Sequence, residues 1–88
     1  MRTRKELLIL LKEEFLKHRH YGLCICIASL CDSGKISDYE ETILFNYLIN
    51  NCHTKRKNNE HTFWWTKNTK GRKLRLRWLN YHIKKQPE

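Results

Sequence analysis

Glycine is scarce in this 88-residue chain, and its three glycines, Gly22, Gly34 and Gly71, lie far apart. That scatter excludes the glycine-rich loops of P-loop and dinucleotide-binding proteins, which need several glycines in one tight turn to cradle a phosphate. Long apolar runs are missing too. The longest, Leu7 to Leu11 and Leu23 to Leu30, stop far short of the roughly 20 residues that a membrane-crossing helix requires, so no membrane partner is expected. Met1-Arg2-Thr3-Arg4-Lys5 ahead of Leu7 to Leu11 has the outline of a signal peptide, but Lys12, Glu13 and Glu14 end the run and no small-residue cleavage site follows. The segment reads as an amphipathic helix.

Cysteine spacing argues against a structural zinc site, although Cys26 and Cys31 stand as C-x4-C. Structural zinc sites pair their ligands as C-x2-C or C-x4-C, whereas Cys24 and Cys26 on a helix would point their sulfurs about 200° apart. Cys24, Cys26 and Cys31 lie in one apolar segment, where they pack as small hydrophobes and suit a reducing cytosol. Cys52 beside His53 lacks an orienting acid and an oxyanion hole, and the pairs Glu13-Glu14 and Glu40-Glu41 are explained by helix capping and solvation. No catalytic residue, metal or cofactor is expected.

Acidic residues run out in the second part of the chain. Residues 1–51 hold seven Lys or Arg against seven Asp or Glu, while residues 52–88 hold eleven against only Glu60 and Glu88, so the net charge of +9 belongs entirely to the second stretch. A field of one sign on part of a small protein attracts polyanions and speeds their encounter. A merely solvated surface would intersperse both signs.

The length fits one helical domain spanning residues 1–88, and chains this short often gain stability by oligomerising, so a dimer or higher homo-oligomer is expected. Thr3-Arg4-Lys5-Glu6 has capping-box spacing and opens a helix to about Lys17, with Leu7, Leu8, Leu11, Phe15 and Leu16 as its apolar stripe. Leu23 to Cys31 is apolar on nearly every side, as in a central buried helix that Gly34 stops; a buried strand is the competing reading, because Ile25 and Ile27 are β-branched. Ser37-Asp38-Tyr39-Glu40 repeats the capping box and opens a third helix, with Ile43, Leu44, Tyr47 and Leu48 in its stripe and its end near Asn50-Asn51.

From Cys52 to Gly71 no helical period appears, and a loop of this length is usually functional or partly disordered. Residues 72 to 85 are ambiguous. Leu74, Leu76 and Trp78 alternate as in a strand, while Leu74, Trp78 and Tyr81, or Leu76, Leu79 and Ile83, follow a helix; length and good helix formers decide for a helix. The fold expected is mainly α, a small bundle of three to four helices with one long basic loop.

The candidate ligand-binding residues are Trp64, Trp65, Lys67, Lys70, Arg72, Lys73, Arg75 and Arg77, joined by Arg19 and Tyr21 if the turn between the first two helices lies beside them. Adjacent tryptophans diverge in any regular backbone, so one ring pins the loop to the core and the other is a candidate stacking platform. Bases stack on open aromatic faces while Lys and Arg neutralise phosphates. On a helix Arg72 pairs with Arg75, and Lys73 with Arg77, and neighbouring guanidiniums can fork onto phosphate oxygens. Replacing Arg72 and Arg75 by alanine is expected to spare the fold and abolish ligand capture.

Four short motifs resemble those of a loose group of short, phage-encoded helical accessory proteins. They are Gly22-Leu23-Cys24 at a helix start, Gly34-Lys35-Ile36-Ser37 followed by Glu40-Glu41, the pair Trp64-Trp65, and the Arg/Leu-rich last helix from Arg72 to Leu79. The resemblance implies a viral protein acting in a bacterial cytosol, of the anti-defence kind that sequesters a nucleotide signal. On this reading the first expectation is capture of a small phosphorylated nucleotide such as a cyclic oligonucleotide. The second is a DNA- or RNA-binding module, favoured by a sequence pI near 9.7. The third is blockade of an acidic host defence protein by exposed Trp and Arg.

Overall fold

The computed structural model describes residues 2–52 and 71–87, which form four helices: α1 (Arg4–Lys17), α2 (Leu23–Asp32), α3 (Asp38–Asn51) and α4 (Arg72–Lys85). The protein is mainly α, and α4 is a helix over the whole stretch where alternation competed with helical spacing. The expected basic loop lies, from residue 53 to 70, outside the described residues. No described helix is long and apolar enough to cross a membrane.

Both capping boxes form. Thr3 Oγ1 accepts from the Glu6 amide at 3.2 Å while Glu6 Oε1 accepts from the Thr3 amide at 2.9 Å; Ser37 and Glu40 make the same exchange at 3.1 and 2.9 Å. Each satisfies two amides that a helix start leaves without partners. The Thr3 amide, and then its hydroxyl, hold the Glu6 carboxyl below its ordinary pKa. Glu40 is lowered chiefly by the Ser37 amide, and it also takes Arg2 Nη1 at 3.0 Å. At the other end of α2, Gly34 adopts φ 77°, a left-handed conformation that costs glycine nothing. The turn returns the Gly34 amide to Cys31 O and the Lys35 amide to Leu30 O, both at 3.0 Å.

The hub of the bundle is α1, which packs against all three other helices. This corrects the expectation that α2 is the central helix. Leu23, Cys26, Ile27 and Leu30 of α2 are buried against α1 and α3, but Ile25 is 44% exposed, so one side of α2 is open. Another correction concerns Leu16, which is 55% exposed. At about 100° per residue it falls about 80° beyond Leu8, outside the arc formed by Leu7, Leu8, Leu11 and Phe15. From α3, Leu44 and Leu48 enter the core, while Ile43 and Tyr47 are half-buried at its edge.

A carboxylate is buried in α1. Glu14 accepts from Ser29 Oγ at 2.6 Å and faces His18 Nε2 at 3.6 Å and Lys35 Nζ at 3.9 Å. Removing a charge from water is costly unless partners replace the solvent, and these three supply them while tying α1 to α2.

The inner face of α4 carries Arg75, Trp78, Leu79 and His82. The stripe of Leu74, Trp78 and Tyr81 is therefore corrected, since Leu74 and Tyr81 point outward. Trp78 is fully buried, and its Nε1–H donates to Asn51 O at 2.6 Å. One indole thus fills the core and satisfies a terminal carbonyl of α3.

Candidate polyanion-binding face

The arginines and lysines of α4 separate into two groups. Arg72 turns inward: its guanidinium lies 4.0 Å from the Phe15 ring centroid. Nη1 donates to the carbonyls of His18, Arg19 and Tyr21 at 3.2, 3.0 and 3.3 Å, and Nη2 donates to Phe15 O. These carbonyls belong to the end of α1 and the turn after it, where backbone acceptors lack intrahelical donors and the helix dipole is negative. A planar, multi-donor fork meets several of them at once. The expectation that Arg72 is dispensable for folding is corrected on this geometry, because its side chain caps a neighbouring helix. Arg75 is 4% exposed, and burial lowers its pKa from the ordinary arginine value.

The turn carrying Arg19 and Tyr21 lies beside the start of α4. It is joined there by backbone carbonyls, while the Arg19 side chain is exposed and Tyr21 stacks on His18 at 4.4 Å. Arg72 and Arg75 therefore do not form an open two-guanidinium cradle with it. Trp64, Trp65, Lys67 and Lys70 lie outside the described residues.

The second group faces solvent. Lys73 and Arg77 are exposed and four residues apart, and exposed Lys84 falls on the same helical stripe. Tyr81, 60% exposed, lies alongside, with Lys85 Nζ 5.8 Å from its ring centroid, and Leu74 is 41% exposed in the same arc. No acidic residue occurs anywhere in α4. The three cations span about 16 Å along the axis at 1.5 Å per residue. Sequence reasoning found Lys73 and Arg77 but missed Lys84 and Tyr81; extending the period from Lys73 by eleven residues would have reached Lys84.

Charge at the start of α4 runs against intrinsic helix stability. Its first turn contains Arg72, Lys73 and Arg75 and no acid, and Gly71 supplies no side-chain cap. Cations at the positive end of a helix are unfavourable by a few tenths to about 1 kcal/mol each. An anion arriving there would relieve that repulsion.

Other chemistry is restrained. Cys26, Cys31 and Cys52 carry free thiols. Burial pushes Cys26 up to about 12, and the hydrogen bond from Cys31 Sγ to Asp38 Oδ1 at 3.2 Å pushes that thiol up to about 11. Among the described residues no three of His, Cys, Asp and Glu converge on a common point. Comparison with models of protein families, with curated proteins and with solved structures finds no match to this chain.

Proposed function

We propose that this chain is a binding protein that holds a nucleic-acid strand along the outer face of α4 and carries out no chemistry on it. The observation that carries the reading is the acid-free arc of Lys73, Arg77 and Lys84 with Tyr81 open beside it. Cations strung along about 16 Å suit successive phosphates of an extended polymer better than the closely set phosphates of a compact small ligand. An open tyrosine offers a sequence-tolerant stacking surface. In the setting implied by the likeness to phage-encoded proteins, the chain acts as an oligomer in a bacterial cytosol and works by sequestration.

A second reading, capture of a small phosphorylated nucleotide such as a cyclic oligonucleotide, loses the Arg72–Arg75 cradle but keeps one support. A polar groove that none of Lys73, Arg77, Tyr81 and Lys84 lines is formed by Arg4, Lys85 and several carboxamides. Fluorescence anisotropy with labelled oligonucleotides of 4, 8 and 16 nucleotides, chosen as roughly one to four times a short single-strand site, separates the readings. Binding by the polymer reading strengthens with length. Equal affinity across the series favours the small ligand.

A further inference from the structure

The groove lies where the start of α1, the second half of α3 and the end of α4 meet, and it encloses about 570 Å³. Tyr47 is held rigidly in its wall. The Tyr47 hydroxyl is 2.6 Å from His82 Nδ1 and accepts from Gln86 Nε2 at 2.9 Å, and the Arg4 guanidinium lies 5.0 Å from its ring centroid. Gln86 also donates to His82 O at 3.1 Å, so both its amide hydrogens are committed and its carbonyl oxygen remains an acceptor.

Two more carboxamides stand on the α3 side. Asn46 and Asn50 are four residues apart, hence neighbours on one helical face, and both are exposed lining residues of the groove. Among the described residues neither side chain has a hydrogen-bond partner. Each offers two donors and an acceptor. Arg4 and Lys85 add positive charge, and no lining residue among those described is acidic.

The groove thus offers paired donors and acceptors beside two cations. A nucleobase with a phosphate has the complementary set, because a free base presents an edge on which a donor stands next to an acceptor, N6 beside N7 in adenine for example, as a carboxamide requires. We infer that this groove binds a single nucleotide unit, for which AMP is the probe, its base edge met by Asn46 and Asn50 and its phosphate by Arg4 and Lys85. This deepens the reading of the partner as nucleotidic and rests on it, but the site is distinct from the α4 stripe.

Titration of the full 15N-labelled chain with AMP, and separately with ribose 5-phosphate, tests the assignment. Side-chain NH2 resonances of Asn46 and Asn50 should move with AMP, and AMP should bind about tenfold more tightly than ribose 5-phosphate, which lacks the base. The double variant Asn46→Ala, Asn50→Ala, which introduces the better helix former at both positions, should weaken AMP about tenfold and leave ribose 5-phosphate unchanged. AMP that leaves those resonances still, or binds no better than ribose 5-phosphate, overturns the assignment. Oligonucleotide binding separates the two claims: a wild-type chain that binds no oligonucleotide refutes the α4 proposal, the double variant should bind oligonucleotide as wild type does, and the AMP titration reads the groove alone.

Discussion

The guanidinium of Arg72 lies over Phe15, 4.0 Å from the ring centroid, while its fork gathers the carbonyls at the end of α1 and the turn after it. The charge that sequence reasoning assigned to a ligand is spent on joining α4 to α1. Charge-assisted hydrogen bonds contribute about 1.5–3 kcal/mol, and a cation over an aromatic ring adds about 0.5–2 kcal/mol. Arg72→Ala is therefore expected to lower unfolding free energy by about 2–5 kcal/mol, read from urea denaturation. Arg72→Lys should recover less than half of the loss, because an ammonium cannot serve several divergent carbonyls from one plane.

Trp78 provides a second, separable test. Trp78→Phe keeps most of the buried ring but removes the donor to Asn51 O, so a loss of about 1–3 kcal/mol is expected from the abandoned carbonyl. Trp78→Ala should cost about 3–5 kcal/mol through the cavity as well. A Phe variant as stable as wild type would show that the hydrogen bond contributes nothing net.

Thiol chemistry should be slow. Cys26 and Cys31, at about 12 and about 11, remain protonated near neutrality, and only the thiolate reacts. Iodoacetamide at pH 8, followed by peptide mass spectrometry, should label both far more slowly than a free-cysteine peptide. Because both folded pKa values are raised, the folded state retains these protons longer than the unfolded chain. Their contribution is complete below the ordinary thiol value of 9.0 and is lost as pH rises through about 11 and about 12, so thermal stability should decline over that range.

Acid acts on the other groups. Glu6 and Glu40 are lowered by the amides of Thr3 and Ser37, so their contribution is present above the ordinary value of 4.5 and fades as pH falls through the lower folded values. Ser37→Ala removes the hydroxyl cap and should cost about 1 kcal/mol at pH 7, read from urea denaturation. A cap variant with unchanged stability would mean that water serves the Glu40 amide equally well.

Local signals carried furthest from sequence to structure. Thr3 with Glu6, Ser37 with Glu40 and Gly34 each act within a few residues, where spacing alone determines which groups can meet. Tertiary choices were less legible. The apolar residues of α4 allow two stripes, and the one buried, Arg75-Trp78-Leu79-His82, has ordinary helical spacing only if an arginine and a histidine are admitted to it. A pattern built from apolar residues alone discards both. The same blindness hid the role of Arg72, since sequence shows a cation but not the carbonyls 51 to 57 residues away that receive it. Lys73 and Arg77 were legible because four-residue spacing on a helix fixes a shared face whatever lies beneath it.

The central claim is that Lys73, Arg77 and Lys84 contact phosphates, and the salt dependence of oligonucleotide binding tests it most directly. Each neutralised phosphate contributes about −0.7 to the slope of log K against log salt on a single strand. The triple variant Lys73→Ala, Arg77→Ala, Lys84→Ala should therefore bind more weakly, with a slope shallower by about 2, while its urea midpoint stays close to wild type. An unchanged slope and affinity in the folded triple variant would contradict the account.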